Sequence, residues 1–381
     1  MNPRRLVDTT LFYSPTSGGV RRYLTAKHAW LCSQTGWQHT LLVPGRTERL
    51  QAGGVSTLAG VPVPGSFNYR LPLNPRRWVR LLDALEPDLI EAGDAFHPAW
   101  AAWRIARRRG IPCAAFFHSN LPRIVARRCG GRMTEHLAGN YLRWLYERFD
   151  VVFAPSRLMV AFLDDLGIGH TVHQPLGVDE TVFHPRQRGA WLRERLALDA
   201  AARVLVYAGR FTDEKNVPVL LRAFARLGRP YHLLMIGGGR AGRLSPNVTL
   251  LPYRRDSAEL AQWLASADAL VHAGTRETFG LVILEAMACG RPVVAARAGA
   301  VRELLDERCG LLSEPGDAGS LADAIAALYE CDLDALGRNA RTRVLQQFTW
   351  QKIFQRQLSV YRALLTARSA AAVPEEVPET G

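Results

Sequence analysis

Short apolar runs alternate with helical patterns along most of this chain. In the second half the runs fall at 204–208, 232–236, 248–251, 269–273 and 292–296. Runs of four or five apolar residues without polar alternation suit strands buried on both faces, and the helical spacing between them suits crossover helices. A parallel sheet is therefore expected. The first half repeats the pattern less regularly, with strands expected at 6–13, 40–43, 89–92, 113–117 and 151–154. The first of these is more polar than the others, through Asp8, Thr9 and Thr10. A helix is expected from 20 to 35. Another ends on Arg104, Arg107, Arg108 and Arg109, where positive charge complements the helix dipole. Residues 44–75, rich in Gly and Pro, read as irregular, 350–366 as a last helix, and 369–381 as disordered.

Residues 272–300, HAGTRETFGLVILEAMACGRPVVAARAGA, hold the densest signal. A strand ends, a loop carries Thr275, Arg276, Glu277 and Thr278, and Phe279, Val282, Ile283, Ala286 and Met287 then recur at helical spacing. Gly290 and Pro292 stop the helix. Backbone N–H groups at a helix start attract anions, phosphate above all. Gly280, without a Cβ, lets the chain approach a ligand closely. Glu277 precedes the helix and Glu285 lies within it, seven residues between them. A carboxylate does not bind phosphate, but it accepts hydrogen bonds from sugar or ribose hydroxyls. Such a unit can hold a phosphate between two hydroxyl-bearing groups, as in a nucleotide sugar. The plainer alternative makes Glu277 a helix cap and Glu285 a solvated face residue.

Other strand ends carry candidate chemistry. Arg210 and Lys215 follow the 204–208 strand, and two fixed cations there can neutralise charge on a departing diphosphate. Gly237-Gly238-Gly239 follows the next strand. A loop with Gly18 and Gly19 separates the first strand from the first helix and can present N–H groups to an anion, or simply turn. His118 lies just past the strand at 113–117, at the sheet edge where ligands bind in doubly wound folds; His97 is a weaker candidate of the same kind. Arg76, Arg77, Trp78 and Arg80 lie on one amphipathic stretch, read either as a membrane-facing edge or as a surface helix with Trp78 packed inward. Arg123, Arg127, Arg128 and Arg132 lead to an aromatic helix around 141–149, read either as a solvated face or as a site for an anionic acceptor or lipid headgroup.

Composition narrows the class. A chain of 381 residues suits two domains. No apolar run approaches a membrane span, and no secretory leader is expected at the N-terminus. Six cysteines are scattered without C-x-x-C, which suits a reducing cytoplasm. The net charge is +13, and residues 1–190 hold 24 Lys+Arg against 14 Asp+Glu. An anionic partner for the first half is the natural reading. Nucleic acid is not expected, because no helix-turn-helix, zinc finger or RNP-like pattern is present. No metal is expected either: no His/Asp/Cys cluster suggests a metal site.

E-x7-E within TRETFGLVILEAMACGRPVVA resembles the retaining glycosyltransferases of family 4, two-domain enzymes of the GT-B fold. The resemblance implies two Rossmann-like doubly wound parallel-sheet domains with a cleft between them. Pro175-Leu-Gly-Val-Asp179 with Phe183 and Pro185 is similar to the family's interdomain turn. The division is accordingly expected near 187, with a second domain at 188–349, and a helix at 350–368 returning to the first. By resemblance His118, Arg210, Lys215 and Glu277 are catalytic, with Glu277 on the donor sugar and the two cations on the leaving diphosphate. Gly18, Gly19, Gly238, Thr278, Phe279, Gly280, Leu281 and Glu285 bind the donor, Glu285 through the ribose. Where the family often has Gly after the lysine, this chain has Asn216. The implied reaction is retaining, metal-independent hexosyl transfer from a GDP- or UDP-sugar to a lipid or saccharide hydroxyl. The nucleotide sugar is a substrate, so no cofactor is expected. The implied location is cytoplasmic, with attachment to the inner face of a membrane left open. A nucleotide-sugar epimerase or a phosphorylase of the same fold, and a basic nucleic-acid-binding protein, are the alternatives.

Overall fold

A computed structural model describes residues 3–14, 18–64, 66, 68–123 and 130–371. Contacts divide the chain into two units. The first runs to Gln174 and resumes at Phe354; the second is Pro175–Ile353.

The first unit is built on seven parallel strands: β1 (Arg5–Thr9), β2 (Gln38–Gly45), β3 (Val55–Ala59), β4 (Leu89–Ala92), β5 (Cys113–Phe116), β6 (Val151–Ala154) and β7 (Thr171–His173). Their order is β3-β2-β1-β4-β5-β6-β7, so the direction of winding reverses between β1 and β4. Central strands β4, β5 and β6 are buried at every position, which is why β5 and β6 read as unbroken apolar runs and β4 is broken only by the buried Glu91. The polar β1 is buried too, because its side chains are paired. Asp8 pairs with Lys27 at 2.8 Å and His39 at 3.2 Å. Thr9 Oγ1 donates to the Leu42 carbonyl and accepts from the Trp78 indole N–H at 2.8 Å. That bond fixes Trp78, 1% exposed, on the inner face of the Pro75–Ala84 helix. Trp78 is therefore core, and the membrane-edge reading of this helix loses its aromatic anchor. The stretch 44–75 is more ordered than expected: β3 lies within it, and Val61–Pro62 pairs with Arg70–Leu71.

The second unit repeats the plan with β8 (Arg203–Ala208), β9 (Tyr231–Gly238), β10 (Gly242–Ser245), β11 (Val248–Pro252), β12 (Ala269–His272), β13 (Val293–Ala296) and β14 (Gly310–Ser313). The order is β10-β11-β9-β8-β12-β13-β14. All pairs are parallel except the edge pair β10–β11. Its winding reverses between β8 and β12.

The expected boundary at 187 moves back to Pro175, for a visible reason. Val178 N–H donates to the Phe348 carbonyl at 2.8 Å, and the Val178 carbonyl accepts from Trp350 N–H. Arg341 donates to the Phe183 carbonyl. These bonds tie 175–187 to the second unit. The Trp350–Ala371 helix likewise begins in the second unit and passes to the first at Phe354. It extends to Ala371, past the expected start of the tail at 369; residues 372–381 lie outside the described set.

Candidate active site

In doubly wound sheets, ligands bind outside the carboxyl ends of the strands where the winding reverses. In the second unit that point lies between the loops following β8 and β12, and the two loops are joined there. Asn216 Nδ2 donates to the Ala273 carbonyl at 3.1 Å, and Thr275 N–H donates to the Glu214 carbonyl at 3.2 Å. Asn216 has φ +50°. This explains why asparagine can stand in for glycine: both tolerate the left-handed region, and the amide adds a bond across the loops.

The loops bring Lys215 and Glu277 together. Lys215 Nζ donates to Glu277 Oε1. His272, the last residue of β12 and 1% exposed, places Nε2 at 2.9 Å from the same oxygen. That geometry needs the proton on Nε2. Among the described residues no donor reaches Glu277 Oε2, and the carboxylate remains 13% exposed. One oxygen is thus anchored twice, and the other is left with no hydrogen-bond donor among the described residues. Burial pushes the Glu277 carboxyl up, but Lys215 and His272 outweigh it and hold the group well below the usual carboxylate range. Gly274 has no room for a side chain: a Cβ there would lie 2.6 Å from His272 Nε2 and 3.1 Å from Glu277 Oε1.

Arg210 is nearby, half exposed, 3.7 Å from Glu214. Its carbonyl accepts from the Tyr207 hydroxyl at 2.7 Å, and the Tyr207 ring stacks on His272. Glu214, raised by partial burial, is brought below its ordinary value by the Thr212 hydroxyl and by Arg210 and Lys215. Gly238 ends β9 against the Phe211 ring.

The expected helix is Leu281–Ala288. Gly280 caps it at φ +103°, a conformation costly for any side chain. Thr278 and Leu281 are half-buried and Phe279 is buried, its ring 6.3 Å from Phe348. Glu285 is 1% exposed, so it is not a solvated face residue. Burial and the Glu285 carboxylate together push the Cys289 thiol up to about 12.

In the first unit, Gly18 and Gly19 begin the Gly19–Gln34 helix; Pro15–Ser17, the rest of that loop, lie outside the described residues. His118 is at the β5 end, near the β1–β4 reversal, since a Cβ on Gly93 would meet both Thr10 and the His118 ring. The imidazole stacks on Phe116 at 4.1 Å and meets the Tyr23 edge at 5.1 Å. Burial, then Lys27, push it down to about 3, so it is neutral at pH 7. His97 begins the His97–Arg109 helix. Arg127 and Arg128 lie outside the described residues. No group of three or more His, Cys, Asp or Glu among the described residues is arranged to hold a metal ion.

Sequence reading missed His272, Gly274 and Tyr207. His272 reads as the end of an apolar strand, and no spacing rule reveals that it shares an oxygen with Lys215. The closing dipeptide His-Ala before the E-x7-E loop was the available hint.

The chain matches the family described as Glycosyltransferase Family 4 over residues 17–182 and that described as Glycosyl transferases group 1 over 202–331. It is 31% identical over 373 residues to a GDP-mannose-dependent alpha-(1-6)-phosphatidylinositol dimannoside mannosyltransferase of Mycobacterium tuberculosis, covering 94% of this chain and 96% of that one. A GDP-mannose-dependent alpha-mannosyltransferase of the same species is 31% identical over 89% of this chain and 91% of its own. Among solved structures, sucrose-phosphate synthase from Thermosynechococcus elongatus superposes with a TM-score of 0.80 at 23% identity, over 96% and 100% of the two chains. Anabaena HepE, solved with UDP-glucose, gives 0.74 at 22% identity, over 94% and 99%. These structures share the GT-B fold, and the identity maintained across nearly the whole length shows that the chain belongs to glycosyltransferase family 4.

Proposed function

We propose that this protein transfers a hexosyl unit from a nucleotide-diphosphate sugar to a hydroxyl of a lipid or saccharide acceptor, with retention at the anomeric carbon and without a metal. GDP-mannose is the donor favoured by the names of its mycobacterial relatives; UDP-sugars are next. The observation that carries the reading is the anchoring of Glu277 Oε1 by Lys215 and His272, with Oε2 left without a donor among the described residues. A carboxylate held ionised in this way accepts from donor-sugar hydroxyls and orients the ring.

Each remaining residue has a role in this reading. Arg210 and Lys215 stabilise charge that builds on the diphosphate as the sugar leaves. Glu285 accepts from the ribose hydroxyls. Gly280, with Thr278, Phe279 and Leu281, brings the helix start to the phosphates, and Gly238 gives the nucleotide close access to backbone. Gly18 and Gly19 contribute at the diphosphate. His118, neutral at pH 7, offers a hydrogen bond to the transferred sugar rather than a charge. The leaving diphosphate takes the acceptor proton on the face it departs from. The basic first half faces an anionic membrane that carries the acceptor, from the cytoplasmic side; among the described residues no helix is long and apolar enough to cross a membrane.

A panel of nucleotide sugars and nucleoside diphosphates, scored by thermal stabilisation, tests donor binding: a ligand bound only by the native state raises Tm. Stabilisation by one nucleotide series is the expected result, and none by any would overturn the reading. Turnover with chelator present and NMR of the product anomer test metal independence and retention. Sugar altered and released without acceptor would instead favour an epimerase.

A further inference from the structure

The Gly131–Tyr146 helix has two unlike faces. Ala138, Leu142, Leu145 and Tyr146 are buried. On the other face Met133, Leu137, Tyr141 and Trp144 are 70%, 59%, 40% and 43% exposed. Their spacing of four, four and three residues puts them on one stripe. Isolated apolar residues at a surface are ordinary, but four large ones on a single ridge mark a contact surface.

The tips of this stripe are held in place. Arg148 lies 4.0 Å over the Trp144 ring and 5.5 Å over Trp103. Tyr141 stacks on Trp144 at 6.1 Å and donates its hydroxyl to the Ala95 carbonyl at 2.8 Å. The surroundings are positive. Glu147 offsets Arg143 at 2.7 Å; Arg104, Arg132 and Arg148 have no salt-bridge partner among the described residues, against Glu135, the one carboxylate within the helix. An aliphatic ridge with indole, phenol and guanidinium groups pairs apolar bodies with polar tips, which suits the boundary between headgroups and acyl chains. The surplus of arginine selects an anionic leaflet, each such charge strengthening attachment about fivefold.

We infer that this face of the Gly131–Tyr146 helix is the surface on which the protein rests on an anionic bilayer. The inference builds on the proposed membrane-borne acceptor and names the contact. It also replaces the contact that the amphipathic stretch at Pro75–Ala84 suggested, whose tryptophan is core. Met133, Leu137 and Trp144 enter the boundary, and Arg132 and Arg148 meet lipid phosphates.

The test is co-sedimentation of the full chain with phosphatidylglycerol–phosphatidylcholine vesicles and with phosphatidylcholine alone, at low and high salt. Wild type is compared with Met133→Ser/Leu137→Ser, whose replaced side chains are the most exposed of the stripe and should leave Tm unchanged. Expected is binding to anionic vesicles, released by salt, and weakened at least about tenfold in the variant. Wild-type binding that the variant matches would overturn this surface and leave the membrane reading standing. No wild-type binding to either vesicle would overturn both and favour a soluble saccharide acceptor. A wild-type dimer that the variant converts to monomer, without vesicle binding, would make the stripe an interface between copies. Should the double variant unfold, Arg132→Gln gives the second reading: weaker binding to anionic vesicles supports the surface, and unchanged binding overturns it.

Discussion

Each unit contains a lysine paired with a carboxylate beside a histidine, and the two clusters are built differently. In the first unit Lys27 donates to Asp8 at 2.9 Å and Glu91 at 2.8 Å, and all three side chains are 1–2% exposed. Glu91 also accepts from Tyr23, Gln357 and Tyr361, so both its oxygens are occupied. Burial pushes the Glu91 carboxyl up against the pull of Lys27. In the second unit Lys215 and Glu277 are 17% and 13% exposed, and one carboxylate oxygen has no donor among the described residues. A closed, saturated cluster can only hold structure together: here it fastens Gln357 and Tyr361 of the last helix to β4. A cluster with one anchored oxygen and one without a donor can still take a ligand.

Breaking each cluster gives the sharpest contrast. Lys27→Met strands two buried carboxylates, and removing one partner of a buried pair costs about 3–5 kcal/mol. Urea unfolding should show a loss of that order; a loss under about 1 kcal/mol with turnover abolished would put Lys27 in the same class as Lys215. Lys215→Ala and Arg210→Ala should reverse the pattern, cutting kcat by about 10²–10³ with Tm close to wild type. The loss falls on kcat because diphosphate charge develops in the transition state. Parallel loss of Tm and activity in both variants would make this cluster structural as well.

Glu285 tests whether a fully buried carboxylate can still serve a ligand. Glu285→Gln should weaken nucleoside diphosphate binding by about 1.5–3 kcal/mol, as for hydrogen bonds to a charged group. Calorimetry returning wild-type affinity would assign Glu285 to the core alone.

The smallest effect concerns His118, beside the closed cluster. Its folded value is about 3, below the ordinary value near 6.5. The unfolded state therefore takes up the proton first, and stability falls as pH drops below about 6.5. Between pH 6.5 and 5.5 this contributes about 1 kcal/mol. His118→Phe should flatten that part of the pH–stability curve; an unchanged slope would show that His118 is protonated in the fold.

The alternation of apolar runs and helical spacing determined the α/β class, the parallel sheets and the central strands almost to the residue, as at β4 and β6. These are local consequences of burial on both faces, written in consecutive residues. That the E-x7-E loop, the cations after β8 and the glycine before the helix lie at strand ends, where a doubly wound sheet gathers its ligands, was legible too; the roles assigned to them came from the resemblance to family 4. The boundary at Pro175 was not legible, because it depends on backbone bonds from Val178 to Phe348 and Trp350, far along the chain. The inward packing of Trp78 was one of two readings the amphipathic stretch allowed, and the bond to Thr9 decides it; the outward stripe of the Gly131–Tyr146 helix was not legible, because no period reveals an element's partners or their lack. The sharing of one Glu277 oxygen by Lys215 and His272 belongs to the tertiary structure alone. Periodicity states which face of an element is buried; which side chains meet where two loops converge is decided by how strands distant in sequence pack side by side.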